Sequence, residues 1–158
     1  MNISLWWITI LRVFIGIILF SAGISKLTSF NAFVADVSSY QIIPIVMIRP
    51  VGYLIVSAEI TVGLGLGIGY FSRGASILAS ILFLIFSVAL VNVLLQNLQV
   101  TDCGCGNILF SLLEILGVSV STPNWKMVIA DVVLAGVCIW IAGSSRQGYS
   151  LDSFVRQE

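Results

Sequence analysis

The sequence predicts an all-α membrane protein: a four-transmembrane-helix bundle with an amphipathic interfacial helix between spans one and two. Three observations carry that expectation. First, 59% of the 158 residues are hydrophobic and only 9% are charged, with a mean hydropathy of +1.12. Soluble domains carry about 25% charged residues. A soluble chain this short leaves a large share of its surface in water and has nowhere to hide so much apolar area. Second, four separate stretches stay apolar over the roughly 20 residues that a bilayer crossing demands. Third, the long connections between them carry helix-breaking and polar residues.

The spans fall at about residues 5–25, 51–71, 75–98 and 125–142. The first holds one charge, Arg12, the second Glu59, the third none and the fourth Asp131. Trp125 and Trp140 are 15 residues apart, about 22 Å along a helix, which suits one tryptophan at each membrane interface. Trp6 and Trp7 fit the same belt. The first span does not read as a secretory signal, because no basic residue precedes its apolar core. Ser72-Arg73-Gly74 reads as the tight turn between spans two and three. Between spans one and two, Phe30, Phe33, Val34, Val37 and Tyr40 recur near helical spacing, with Asn31, Asp36, Ser38 and Ser39 between them. That pattern is an amphipathic helix lying on the membrane surface. Pro44 and Pro50 then end it and start the next span. Residues 1–143 form one membrane domain, and residues 144–158 form a polar tail. The apolar run 108–120 within the cysteine loop 99–124 is too short to span.

Charge and composition exclude several functions. Formal net charge is zero, so nucleic acid is not an expected partner. No histidine is present, which removes every chemistry that needs an imidazole base or ligand from this chain.

Asp102-Cys103-Gly104-Cys105-Gly106-Asn107 is the most informative stretch. Cysteines two apart reach disulfide range if the backbone turns, and Gly104 and Gly106 supply that freedom. So small a ring constrains the unfolded chain little, and strained, exposed bonds are the labile ones. A redox role therefore suits Cys103 and Cys105 better than a structural staple, with two idle thiols as the bland reading. Asp102 should disfavour the thiolate. A metal centre is not expected, since zinc and iron–sulfur sites want four ligands and only Cys138 remains. Cys138 reads as a small buried residue of the fourth span.

Charges inside a bilayer are functional candidates by default. The depths of Arg12 and Glu59 suggest a buried pair, and Asp131 starts at a depth that Lys26 can reach. These four residues either orient the bundle or line a polar pocket beneath the cysteine loop, for a quinone or a proton path. In the second span, Gly63/Gly67 and Gly65/Gly69 are small-xxx-small pairs that let helices approach closely.

Several residues in order now invite a comparison. Arg12 and Gly16 precede Gly23-Ile24-Ser25-Lys26-Leu27; Tyr40 and Pro44 lead to Glu59 and Gly63; Cys103-Gly104-Cys105 is followed by Trp125 and Asp131-Val132-Val133-Leu134. The order resembles the MauE branch of the DoxX-like membrane proteins across nearly the whole chain. Gly106-Asn107 stands where that family usually continues Phe-Gly. The resemblance implies a four-helix membrane protein with a role in extracytoplasmic thiol–disulfide chemistry. It implies Cys103 and Cys105 as the redox pair and a thioredoxin-like or disulfide-rich protein as partner. MauE is associated with maturation of methylamine dehydrogenase.

The leading expectation is a membrane thiol–disulfide oxidoreductase or maturation factor in the inner membrane, with the cysteine loop extracytoplasmic and both termini cytoplasmic. Lacking a second cysteine pair, the chain must pass electrons to a bound quinone or exchange with soluble partners at both steps. The alternative is a non-enzymatic membrane subunit or assembly chaperone that acts as a docking platform. A transporter has little support, as no inverted repeat is visible.

Overall fold

The computed structural model describes residues 3–40, 43–96 and 125–144. Within them lie five helices: α1 (Ile3–Thr28), α2 (Phe30–Ser39), α3 (Ile45–Ile68), α4 (Ser72–Leu95) and α5 (Trp125–Ser144). All but α2 are long and apolar enough to cross a membrane, so the chain is an all-α membrane bundle. The cysteine stretch, the apolar run after it and the polar tail beyond Ser144 lie outside the described residues.

Helix α1 packs along α3, and the glycines show how. A Cβ on Gly16 would lie 2.8 Å from the Gly63 carbonyl oxygen and 2.9 Å from the Gly67 nitrogen. A Cβ on Gly63 would lie 2.6 Å from the Phe20 nitrogen, and one on Gly23 would meet Ile60 and Glu59. As numbers rise along α1 they fall along α3, so the helices are antiparallel with their backbones in contact, the arrangement that small residues permit. The contact is staggered. Relative to a flush alignment of the two hydropathic spans, α1 is slid along α3 by roughly two turns, about 10 Å.

That stagger leaves the first turns of α3 without α1 beside them, and α2 fills the gap. The Phe30 ring stacks on Tyr53, 4.1 Å between centroids, and Phe30 and Phe33 both lie against Gly52. Val37 is buried, whereas Asn31, Ser38 and Ser39 are exposed. The amphipathic pattern is thus spent on the bundle: α2 turns its apolar side inward onto α3 and α4.

The link between α3 and α4 differs from the expected Ser72-Arg73-Gly74 turn. Gly69 closes α3 in the left-handed conformation (φ 79°), donating its N–H to the Gly65 carbonyl at 2.9 Å. Phe71 is also left-handed (φ 53°), and Ser72 to Gly74 already form the first turn of α4. Glycine reaches that backbone region without a Cβ penalty, which makes it the natural helix end. Pro44, not Pro50, opens α3; Pro50 is the sixth helical residue. There it removes one N–H donor from the ladder.

Helix α4 has no acidic residue and buries small ones: Ser72, Ala75, Ser76, Ala79 and Ser80. The Ser76 hydroxyl donates to the Ser72 carbonyl at 2.8 Å, so it does not enter lipid unsatisfied. One core cluster joins Ile15 and Leu19 of α1, Val62 and Leu66 of α3, Ala75 to Phe86 of α4, and Ala135, Cys138 and Ile141 of α5. The first half of α4 meets the second half of α5, so these two are antiparallel as well. The ends Thr28, Ile45, Leu95 and Trp125 therefore share one face, with α2 beside them; Cys103 and Cys105 fall in sequence between the last two of these ends.

The glycine contact predicts a clear asymmetry between two alanine substitutions. In Gly63→Ala the new methyl meets backbone atoms, which cannot rotate away, and overpacking of this kind costs about 1–3 kcal/mol. A Cβ on Gly136 meets nothing within 4 Å, so Gly136→Ala should be neutral or slightly stabilising. Thermal unfolding of both variants in detergent reads the difference; equal midpoints would contradict the close packing of α1 on α3.

Candidate functional site

Four charged residues are almost entirely removed from solvent: Arg12, Lys26, Glu59 and Asp131 are 5%, 5%, 0% and 2% exposed. The fold places them at different levels. Lys26 is near the end of α1, and Glu59 is the fifteenth residue of α3. The stagger brings these two together: Lys26 Nζ donates to Glu59 Oε1 in a buried ion pair. The expected Arg12–Glu59 pair does not form. The guanidinium of Arg12 packs instead on Gly69, whose Cβ would lie 2.7 Å from Arg12 Nη2. Gly69 is ten residues from Glu59, about 15 Å along a helix. A charge count along each span cannot reveal this, because the register depends on where Gly16 and Gly23 seat.

Arg12 gains from that position. The C-terminus of a helix carries partial negative charge, and Gly69 caps α3. Asp131 lies on the buried stripe of α5 with Met127, Ala135 and Cys138. It is the seventh residue from the end that faces α2.

Lys26 has further partners that its sequence neighbourhood does not advertise. Its ammonium lies 4.4 Å from the centroid of the Phe86 ring and 5.7 Å from that of Phe33. Both are within the roughly 6 Å at which a cation is attracted to an aromatic face. Phe86 comes from the otherwise featureless α4, where one aromatic in a run of apolar residues gives no signal. Glu59 Oε2 has no hydrogen-bond partner among the described residues. The ion pair thus has one satisfied carboxylate oxygen and one bare one, inside a helix bundle that excludes water.

Cys103 and Cys105, with Asp102, Gly104 and Gly106, lie outside the described residues. Cys138 is 1% exposed and sits thirteen residues past Trp125, about 20 Å along α5. It is part of the core cluster. Among the described residues no group of three or more His, Cys, Asp or Glu could hold a metal ion.

A double-mutant cycle tests the pair. Lys26→Met and Glu59→Gln should each destabilise the bundle by about 3–5 kcal/mol, as loss of one member of a buried pair does, and the double variant should recover most of that. Arg12→Leu combined with Glu59→Gln should be additive, because well-separated sites do not couple. Coupling of Glu59 to Arg12 rather than to Lys26 would overturn the assignment.

Comparisons with known proteins cover most of the chain. The family described as "Methylamine utilisation protein MauE" matches residues 3–144. The methylamine utilization protein MauE of Paracoccus denitrificans is 30% identical over 134 residues, 84% of this chain and 66% of that protein. Its counterpart in Methylophilus methylotrophus is 25% identical over 143 residues, 89% of this chain and 71% of that protein. The chain spans about two thirds of the length of these relatives. No solved structure matches it.

Proposed function

This chain belongs to the MauE family, and from that premise we propose that it is a membrane accessory protein of methylamine utilisation that acts by thiol–disulfide exchange through Cys103 and Cys105. The observation that carries the reading is the extent of the family match. It runs from residue 3 to 144 and so encloses Asp102-Cys103-Gly104-Cys105-Gly106. The relatives' names supply the process, and the cysteine pair supplies the chemistry.

In the proposed exchange, the thiolate of one cysteine attacks a sulfur of a partner's disulfide. That S–S bond breaks and a mixed disulfide forms between the two proteins. The second cysteine then displaces the partner sulfur. The partner leaves with two thiols, and Cys103 and Cys105 are left joined; two electrons have passed to the partner. Run in reverse, the same steps oxidise the partner. The partner is a thioredoxin-like or disulfide-rich extracytoplasmic protein. Disulfides persist outside the cytosol, so the face that carries α2 and the ends Leu95 and Trp125 is the extracytoplasmic one, and the termini are cytoplasmic. The bundle itself sits in the inner membrane.

Two measurements check this. A membrane-impermeant thiol reagent applied to intact, reduced cells should label Cys103 and Cys105; labelling only after the membrane is opened would reverse the orientation. Of Cys103→Ser and Cys105→Ser, the one that keeps the attacking cysteine should trap a mixed disulfide with the partner, and both should abolish growth on methylamine. If the double variant Cys103→Ser with Cys105→Ser supports growth like the wild type, exchange is refuted and the chain acts as a docking platform.

A further inference from the structure

One cavity opens beside the ion pair. It lies between α2, α3 and α4, has a volume of about 390 Å³, and its walls include Phe33, Val37, Tyr40, Ile55, Ile85 and Phe86. That volume is within the range of roughly 300–1,000 Å³ seen for small-molecule sites. The lining is almost wholly apolar, which in a membrane protein invites a lipid-soluble occupant. An acyl chain would need nothing more. Here, however, two of the wall rings, Phe33 and Phe86, are the two that hold the Lys26 ammonium. Behind the cavity therefore sits a buried cation, paired to a carboxylate whose second oxygen is bare among the described residues. A charged pair kept out of water at one end of an apolar cavity suits a planar, lipid-soluble molecule that gains electron density and protons in its reaction.

The cysteine content points the same way. The chain has three cysteines, and Cys138 is locked in the core. A pair that cycles needs a two-electron acceptor, and no second pair exists to serve as one. The cavity extends along α4 to Leu90, five residues before its last residue Leu95, about 8 Å along the helix. It therefore approaches the face from which the chain leads on to Cys103.

We propose that this cavity between α2, α3 and α4 binds a lipid-soluble quinone, its ring against Phe33 and Phe86 and the Lys26–Glu59 pair behind them. The electron donor in this proposal rests on the thiol–disulfide reading; the binding site does not. In the reaction, the thiols of Cys103 and Cys105 lose two hydrogens as the S–S bond forms. The two electrons and two protons reduce the quinone to the hydroquinone. The Lys26 ammonium lies 4.4 Å from the centroid of the Phe86 ring on that wall, and a fixed positive charge there favours the negative charge that develops on the quinone oxygens.

The test is isothermal titration of the full chain in phosphatidylcholine nanodiscs with decylubiquinone, against empty nanodiscs. The wild type should bind saturably. Ile85→Trp should weaken binding at least roughly tenfold, about 1.4 kcal/mol, by filling the cavity; Ile85 is half-exposed, so the larger ring does not disturb the core. The neutral pair Lys26→Met with Glu59→Gln should lose the preference for decylubiquinone over 1-dodecanol, which offers the chain without the ring. Cys103→Ser with Cys105→Ser should bind as tightly as the wild type, so a failure of the exchange chemistry leaves this result intact. No heat above that of empty nanodiscs would overturn the proposal. So would unchanged affinity in Ile85→Trp, or 1-dodecanol competing as well as decylubiquinone in the wild type.

Discussion

A lysine and a glutamate share a place in this bundle from which water is excluded, and that constraint organises the rest. An unpaired charge at the centre of a bilayer costs at least about 2.5–3.5 kcal/mol on insertion scales. Lys26 and Glu59 avoid that cost only if α1 and α3 meet in one register. The register is made possible by Gly16, Gly23 and Gly63, where any side chain would strike the facing helix. Charge and packing thus demand the same alignment. Neither alone would be as specific: small residues allow neighbouring registers, and a long lysine could reach several depths.

Other features follow from the stagger. Because α1 ends partway along α3, a lateral gap opens that α2 must cover, and its aromatic residues Phe30 and Phe33 do so. Phe33 then helps to hold the Lys26 ammonium and to wall the cavity that α2 closes against α4. At the other end, the same slide carries Arg12 past the last turn of α3 to Gly69. The bundle divides into a half centred on Leu19, Leu66, Ala79 and Cys138, with Arg12 buried against Gly69 at its end, and a half nearer α2 that buries Lys26, Glu59 and Asp131. The chemistry proposed for the chain belongs to the second half, where the cysteine-bearing stretch begins and ends.

Much of the architecture was legible in the residues. Long apolar runs announced four spanning helices, and the spacing of Phe30, Phe33, Val37 and Tyr40 announced α2. Cys138 sits in the core as a small buried residue. What hydropathy could not supply was the relation between helices. It puts the start of the second span at residue 51, where α3 begins at Ile45, and it is blind to sliding, so it matches Glu59 with Arg12 instead of Lys26. It also missed the turn: Ser72-Arg73-Gly74 looks polar and flexible, yet the left-handed residues are Gly69 and Phe71. Backbone conformation decides where a helix stops, and polarity is only a proxy for it. The contribution of Phe86 was invisible for a different reason, since an aromatic residue among apolar ones becomes significant only once a cation is known to face it. The order of Gly23, Lys26, Glu59, Cys103, Cys105 and Asp131 did carry the family, which composition and periodicity alone could not name.

The bundle depends on the seating of α1 against α3, and site-directed cross-linking reads that seating directly. In a chain whose own three cysteines are replaced, Gly23→Cys with Ile60→Cys removes the Ile60 side-chain atom that a Cβ on Gly23 would meet at 2.7 Å and places two thiols between the facing backbones. A second chain, Arg12→Cys with Ile60→Cys, tests the alignment that would set Arg12 beside Glu59. Mild oxidation in native membranes should join the first pair rapidly and leave the second unjoined. Rapid closure of the second pair, with none of the first, would contradict the register and with it the Lys26–Glu59 pair.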